Sequence, residues 1–255
     1  MKINENIYRA TMPYKDIFTT VYLIKAAGGA MLFDCGSFDE DTEAYLLPFL
    51  KEHNIGKDEL KYIFISHNHT DHSGGLSEFI KSFPDAVIVS PNEALWEKFK
   101  GYNILSPKEG DEILDVLKVV EIPGHTKDSC GIFDTRTKTL ISGDSLQLYG
   151  IIGSGKWASN IGWPKAHIAA LEKLGKMDIE EIYTAHDYQP YGYSYKGKDE
   201  IRKALEACAE PLYKIKDLII KNPHLSDEEV CAVYNSFGGP TLGAHVVGNV
   251  RRDLI

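Results

Sequence analysis

Cysteine is scarce in this sequence, and no two cysteines stand at the spacing of a metal or redox pair. The 255 residues contain four cysteines and no C-x-x-C motif, which argues against thiolate zinc sites and thioredoxin-like chemistry. Scattered cysteines are typical of reduced thiols in the cytoplasm. The first residues also lack the apolar core of a signal peptide. We therefore expect a cytoplasmic protein.

Long apolar runs and excess positive charge are also missing. No stretch of about 18 apolar residues occurs, so no transmembrane helix and no membrane partner is predicted. Lys and Arg number 28 against 37 Asp and Glu, which gives a formal net charge of −9 at pH 7. An acidic chain is a poor candidate for general nucleic-acid binding. No G-x-S-x-G motif or catalytic cysteine context offers a side-chain nucleophile.

What the sequence does have is a dense group of metal-ligand side chains in the segment S-H-N-H-T-D-H-S-G-G, residues 66–75. Four of them fall within six residues, namely His67, His69, Asp71 and His72. The apolar, β-branched run before them predicts a buried strand, and the helical spacing after the two glycines predicts a helix. We therefore expect the group on a strand-to-helix loop, the kind of place where functional side chains concentrate.

The chemistry of these side chains favours a metal. Imidazole nitrogens suit zinc, iron, nickel or copper, and a carboxylate adds a harder oxygen donor. A solvated histidine-rich loop is the alternative interpretation.

Three further ligand candidates each follow the end of a predicted strand. They are His125 in P-G-H-T, Asp144 in S-G-D-S and His186 in A-H-D-Y. Each alone is more often structural. If the strands share a sheet, their ends form one rim, and five histidines and two aspartates would converge there. Histidines outside these strand ends, such as His167, are interpreted as surface or packing residues.

The pattern of the chain changes near its last quarter. Alternating strand and helix signals, including a helix over 39–53 and a loop over 146–162, extend to about residue 190. From Lys198 the signals are all helical, with a capping box at Ser226 and a break at Gly239-Pro240. We expect these helices to pack on the main domain or on a partner subunit.

The ordered motifs H-x-H-x-D-H, G-H-T, G-D and H resemble the metallo-β-lactamase-fold superfamily of hydrolases. The resemblance runs colinearly over about residues 5–190 and includes the early D-x-G turn at Asp34-Cys35-Gly36. It implies an α/β fold in which two mixed sheets lie face to face with helices outside, an αββα four-layer sandwich. We expect this domain over residues 1–195 and a C-terminal helical extension over 196–255.

The resemblance also implies a ligand assignment. His67, His69 and His125 would bind one metal, Asp71, His72 and His186 a second, and Asp144 would bridge them. The superfamily usually holds zinc, and sometimes iron or manganese, so the expected cofactor is two divalent ions with Zn²⁺ first. The metals would activate a water molecule that attacks a small ester, thioester or lactone. Asp71 would orient this water and accept its proton.

Two alternatives stay open at this point. One is a mononuclear-iron oxygenase similar to the persulfide dioxygenases, in which His67, His125 and Asp144 alone hold the metal. The other is a non-catalytic metal-binding relative. The partner implied by the leading hypothesis is a small-molecule substrate, and a homo-oligomer is left open.

Within the superfamily, the second half is most similar to glyoxalase II and the persulfide dioxygenases. That branch has Cys-Gly-Arg in its glycine-rich loop, where this chain has Ile152-Gly153-Ser154. The lactonase branch has a tyrosine shortly after the bridging aspartate, whereas position 147 here is glutamine. Aromatic residues near the ligands could line an apolar pocket or pack the helical tail. The candidates for substrate contact are Tyr149, Trp157, Tyr188 and Tyr191.

Overall fold

The computed structural model describes residues 1–148, 151–152, 159–189, 191–238 and 241–255. The chain divides into two compact units, of which the first comprises Met1–Val120 with Ile132–Thr135 and the second Glu121–Gly131 with Arg136–Ile255. In the described ranges, strands and helices alternate and the strands belong to a six-stranded and a seven-stranded sheet.

The six-stranded sheet lies in the first unit and delivers the first ligand group. Its strands, in spatial order, are β1 (Ile7–Tyr14), β2 (Ile17–Ala26), β3 (Gly29–Phe33), β4 (Leu60–Phe64), β5 (Val87–Val89) and β6 (Ile104–Leu105). The first three pair antiparallel, and β3 to β6 pair parallel. Because β3 and β4 run parallel with Phe33 opposite Phe64, Asp34 and Ser66 follow at the same edge of the sheet.

Four helices accompany this sheet: α1 (Leu47–Glu52), α2 (Thr70–Ser73), α3 (Leu76–Ser82) and α4 (Glu93–Lys98). The predicted helix over 39–53 is confirmed as a continuous helical segment from residue 40 to Glu52, but its middle is not α-helical. Residues Thr42–Leu46 make a π-helical turn, in which the N–H of Leu47 bonds back to Thr42, and α1 follows. Pro48 explains why the α-helical ladder cannot run through, since proline has no N–H to donate.

The core of the first unit is aliphatic and aromatic. Fully buried side chains from β2, β3 and β4 pack with α3, among them Leu23, Leu32, Ile63 and Phe79. This apolar packing supports the edge at which β3 and β4 end. The side chains after those two strands are therefore placed on a rigid base.

The other sheet contains seven strands: β7 (Glu112–Ile113), β8 (Leu117–Glu121), β9 (Cys130–Asp134), β10 (Thr139–Gly143), β11 (Ile151–Ile152), β12 (Glu181–Gln189) and β13 (Gly192–Lys196). In the second unit, β10 pairs parallel with β12, and β12 pairs antiparallel with β11 and β13. Two expectations change. The predicted loop over 146–162 includes β11. His186 lies inside β12 instead of after it, because pairing of Tyr188 and Gln189 with β11, and of Tyr188 with β13, extends the strand past it.

Four helices also belong to the described part of the second unit. They are α5 (Pro164–Leu174), α6 (Gly197–Lys221), α7 (Asp227–Ser236) and α8 (Ala244–Leu254). The predicted C-terminal helices are confirmed, and Ser226 caps α7 with Glu229 in a capping box. Their apolar faces form a buried cluster with Ile161, to which Leu212, Val230 and Val247 contribute. The predicted break at Gly239-Pro240 lies outside the described residues, and the boundary at 195/196 stays a prediction. None of the helices in the described ranges is both long and apolar enough to cross a membrane.

Candidate metal centre

The first ligand group lies directly after β4 in the first unit. His67 and His69 occupy the connecting loop, and Asp71 and His72 belong to the short helix α2. The ring centroid of His67 lies 4.6 Å from that of His69 and 4.3 Å from that of His72. The Nε2 atom of His72 lies 3.3 Å from a carboxylate oxygen of Asp71. The four side chains thus share one small region, with His67 and His72 almost fully buried.

Asp34 is the buried carboxylate that orients this group. It follows β3, is fully buried and has a φ of 63°, a left-handed conformation that Asp tolerates better than most residues. One oxygen accepts the Ser66 backbone N–H at 2.8 Å. The other accepts the Ser66 hydroxyl at 3.0 Å and lies 2.7 Å from Nδ1 of His72. Burial raises the pKa of the Asp34 carboxyl, and His72 opposes that rise.

These contacts select the tautomer of two histidine rings. His72 donates its Nδ1–H to the Asp34 carboxylate, so Nε2 carries the lone pair. The Ser66 hydroxyl hydrogen points to Asp34, so the Ser66 oxygen accepts from Nδ1–H of His67 at 3.0 Å. Nε2 is again the nitrogen with the lone pair. A carboxylate or other acceptor on the far nitrogen of a histidine is the usual outer partner of a metal ligand.

Gly74 and Gly75 allow the backbone after β3 to reach the ligand helix. The N–H of Gly74 donates to the carbonyl of Gly36 at 3.1 Å. A Cβ atom at Gly74 would overlap the carbonyl of Ser37, and one at Gly75 the carbonyl of Cys35. The two glycines therefore permit this close backbone approach.

In the second unit, His125 is held by a main-chain carbonyl. Its Nδ1 donates to the carbonyl oxygen of Asn160 at 2.8 Å, which again leaves the lone pair on Nε2. The preceding Gly124 has a φ of +151°, and a Cβ there would overlap the ring of His167. His167 is completely buried, and burial, with a smaller effect of His125, lowers its pKa to about 3. His167 is thus a neutral packing residue beneath the His125 turn, as the sequence interpretation has it.

Asp144 lies between the other two ligand candidates of this unit. It follows β10 directly. Its Oδ1 lies 3.1 Å from Nε2 of His186, and its Oδ2 lies 3.6 Å from Nε2 of His125. All three side chains are at most 8% exposed. Each carboxylate oxygen therefore faces a different imidazole.

The candidates for substrate contact fall into two sets. Tyr149 and Trp157 lie outside the described residues. Tyr188 is fully buried, and its hydroxyl accepts a hydrogen bond from Gln147 at 3.3 Å, whereas Tyr191 is 37% exposed. A substrate role for any of them stays a prediction.

Ser66, Gln147 and Asn160 are contacts of the ligand groups that the sequence reasoning did not single out. Ser66 adjoins the motif, but its bond to Asp34 spans 32 positions. Gln147 and Asn160 have no sequence signal at all, since amides at such positions are common in loops. Only the folded arrangement identifies them.

Comparison with known proteins gives the family. The family model for the metallo-β-lactamase superfamily matches residues 14–186, more than half of the chain and the whole span of the ligand motifs. The chain therefore belongs to the metallo-β-lactamase superfamily, and its two mixed sheets with helices are the fold of that class.

The individual relatives refine this picture. Hydroxyacylglutathione hydrolase 1 of Vibrio vulnificus strain YJ016 is 30% identical over 172 residues, which cover 66% of this chain and 62% of that protein. A hydroxyacylglutathione hydrolase of Prochlorococcus marinus strain SARG is 28% identical, with 64% and 63% covered. The chain thus spans about three fifths of these relatives' lengths. A metallo-β-lactamase family protein from Thermus thermophilus shares the fold with a TM-score of 0.66 at 19% identity, covering 98% of this chain and 92% of that one.

Proposed function

We propose that the chain is a metal-dependent hydrolase with a dinuclear centre. In this proposal the seven ligand candidates serve one site. His67, His69 and His125 would hold one ion, Asp71, His72 and His186 would hold the other, and Asp144 would bridge them. Superfamily membership supports this joining, because the family match includes all seven residues.

One observation carries the proposal: the Nδ1 atoms of three ligand candidates are already bound. His67 is held by Ser66, His72 by Asp34 and His125 by the carbonyl of Asn160. In each ring Nε2 is left as the metal-binding nitrogen. A histidine-rich surface loop has no need of such partners, whereas metal-ligating histidines almost always have them. The donor set of imidazoles and carboxylates fits zinc, and also iron or manganese.

The geometry of Asp144 supports a bridging role. A bridging carboxylate presents one oxygen to each ion. The two oxygens of Asp144 face His186 and His125 separately, and these two histidines are assigned to different ions.

Such a pair of ions, when bound, lowers the pKa of a coordinated water toward 7 and polarises a carbonyl oxygen. The chain's own contribution is placement and proton transfer. Asp71, whose side chain is 11% exposed, would orient the attacking water and accept its proton on a carboxylate oxygen. Asp34 and Ser66 hold His72 and His67 in the tautomer that presents Nε2 to a metal.

The proposed substrate is a small ester, thioester or lactone. A thioester is placed first because the relatives named above are hydroxyacylglutathione hydrolases. The cytoplasmic location and a homo-oligomeric state remain predictions.

The test is metal content per chain together with a panel of small thioesters, esters and lactones. His69→Ala is the informative variant, and His224→Ala, at an exposed histidine in the turn between α6 and α7, is the matched control. We expect two zinc ions per chain, falling toward one in His69→Ala and unchanged in His224→Ala, with acid released from a panel member. Hydrolysis that survives complete metal removal would refute the proposal. One iron per chain, unaffected by His69→Ala, would favour the oxygenase alternative.

A further inference from the structure

Gln147 hydrogen-bonds to three segments of the second unit. Two of them contain a proposed metal ligand, and the third accepts a hydrogen bond from one. Gln147 stands three residues after Asp144 and is 2% exposed. Its Nε2 donates to the carbonyl of Asp144 at 2.8 Å and to the hydroxyl of Tyr188 at 3.3 Å, and its Oε1 accepts the N–H of Asn160 at 2.8 Å. Both donor hydrogens and the acceptor of the amide are therefore used.

Each of these partners lies next to a ligand. The Asp144 carbonyl belongs to the proposed bridging residue itself. Tyr188 is two residues beyond His186 on β12, with the two rings 6.3 Å apart in a T-shaped arrangement. Asn160 accepts Nδ1–H of His125 through its carbonyl. The buried amide of Gln147 thus contacts the main chain of Asp144 and, for His186 and His125, a residue close to each.

We propose that Gln147 is a positioning residue, which sets the relative placement of His125, Asp144 and His186 and thereby the affinity of the centre for metal. The inference rests on the proposed function in that these three residues are metal ligands. It goes beyond that function because Gln147 would touch neither metal nor substrate.

The chemistry of the amide explains why glutamine suits this position. The three hydrogen bonds at this position require two donors and one acceptor on one buried side chain. Glutamine provides these groups, and leucine or glutamate does not. Buried hydrogen-bond networks of this kind fix a single arrangement when every member is satisfied. Losing the amide would leave the Asn160 N–H and the Asp144 carbonyl to find other partners.

The Asn160 segment is held from its other side by α8. The Oδ1 of Asn160 lies 3.0 Å from Nε2 of His245, and Asn249 donates to the carbonyl of Ile161 at 2.9 Å. The N–H of Asn160 donates to Gln147, and the carbonyl of the same residue accepts from His125. A displacement of the Gln147 side chain would therefore move His125 through Asn160.

The test compares Gln147→Leu and Gln147→Glu with the control Ser159→Ala. Leucine keeps the bulk but removes all three hydrogen bonds, whereas glutamate keeps an acceptor for Asn160 and loses the donors. Ser159 is also buried, and its hydroxyl contacts main-chain carbonyls, at 2.7 Å for Leu148 and 3.2 Å for Gln147. Its loss therefore costs a buried hydrogen bond in the same segment while the Gln147 amide keeps its partners. The readouts are zinc affinity of the apoprotein by chelator competition, the visible spectrum of the cobalt(II)-substituted protein and unfolding by urea.

We expect Gln147→Leu to weaken zinc binding about 10–100-fold, the usual effect of losing an outer partner of a metal site, and to change the cobalt spectrum. Gln147→Glu should fall between Leu and wild type, and Ser159→Ala should lose stability without altering zinc affinity or spectrum. Wild-type affinity and spectrum in Gln147→Leu would overturn the inference. If that variant does not fold, wild-type affinity in Gln147→Glu would overturn it equally.

The two proposals fail in different ways. If the wild-type protein binds zinc but hydrolyses nothing in the panel, the proposed function fails, and the Gln147 variants still test positioning through affinity and spectrum. If the protein hydrolyses a substrate and the Gln147 variants bind zinc normally, only the positioning role fails.

Discussion

Replacing Asp34 by asparagine should weaken metal binding in the first unit, although Asp34 is not a proposed ligand. The change keeps the size of the side chain and its tolerance of positive φ. It replaces one of two accepting oxygens by an NH₂ group. Both oxygens are in use, one by the Ser66 N–H and the other by the Ser66 hydroxyl and His72.

Neither orientation of the asparagine amide satisfies these partners. If the oxygen faces the Ser66 N–H, the NH₂ group points at Nδ1 of His72, which must then accept and carry its proton on Nε2. If the amide turns over, its NH₂ group meets the Ser66 N–H, two donors face to face in a fully buried site. An unsatisfied buried donor costs about 1–3 kcal/mol.

In the first orientation His72 carries its proton on Nε2, so this nitrogen has no lone pair with which to bind a metal. The same orientation also disturbs His67 through Ser66. Loss of an outer partner lowers metal affinity about 10–100-fold, which is about 1.4–2.8 kcal/mol of binding free energy. We therefore expect zinc affinity to fall by about tenfold or more, or stability of the apoprotein to fall by about 1–3 kcal/mol, according to which orientation is adopted.

Chelator competition and urea unfolding of the apoprotein measure these two quantities, and histidine ring NMR identifies the tautomer. Asp41→Asn is the matched control, because Asp41 is also buried and, among the described residues, its side chain accepts the backbone N–H groups of Ser37 and Phe38, both on one oxygen. The single amide oxygen of asparagine can accept the same two N–H groups. Unchanged zinc affinity together with unchanged apoprotein stability in Asp34→Asn would refute the reasoning.

Three further outcomes test the fold around the site. Ser226→Ala should lower the free energy of unfolding by about 0.5–2 kcal/mol, the range for a lost helix cap, measured by urea titration; no change would contradict the capping role. Gly124→Ala should cost more than Gly110→Ala, since both have positive φ but only the first meets a neighbour, His167; equal urea midpoints would argue against that contact. The four buried cysteines should resist a thiol reagent in the native protein and react in denaturant, and fast native labelling would contradict their burial.

The spacing of apolar residues predicts those helices and strands whose formation depends on the sequence of the segment itself. The helix predicted after the two glycines is α3 (Leu76–Ser82), and the strand predicted before Asp144 is β10 (Thr139–Gly143). Both segments have uninterrupted apolar spacing and clear ends. The segment predicted as a helix over 39–53 is helical too, but its middle forms a π-helical turn just before Pro48, and apolar periodicity alone does not predict that turn.

The candidate site was predictable where ligand residues are dense or follow a strand, and not where their partners come from elsewhere in the chain. His186 was expected beyond its strand, yet pairing with β11 and β13 extends β12 past it. Partner strands outside the local segment decide that boundary. In the same way, the Asn160 carbonyl meets His125 across 35 positions, and no motif marks a main-chain oxygen.

The two units orient their histidines by different means, and this difference separates the two sets of variants. In the first unit the outer partner is an anion, Asp34, which both fixes the tautomer of His72 and makes its ring a stronger donor. In the second unit the partner of His125 is the neutral carbonyl of Asn160, which fixes direction but adds less donor strength. Asp34→Asn should therefore change the intrinsic strength of a ligand, whereas Gln147→Leu should change its position. The cobalt spectrum, which responds to geometry, should shift more in Gln147→Leu than in an Asp34→Asn protein whose metal is still bound.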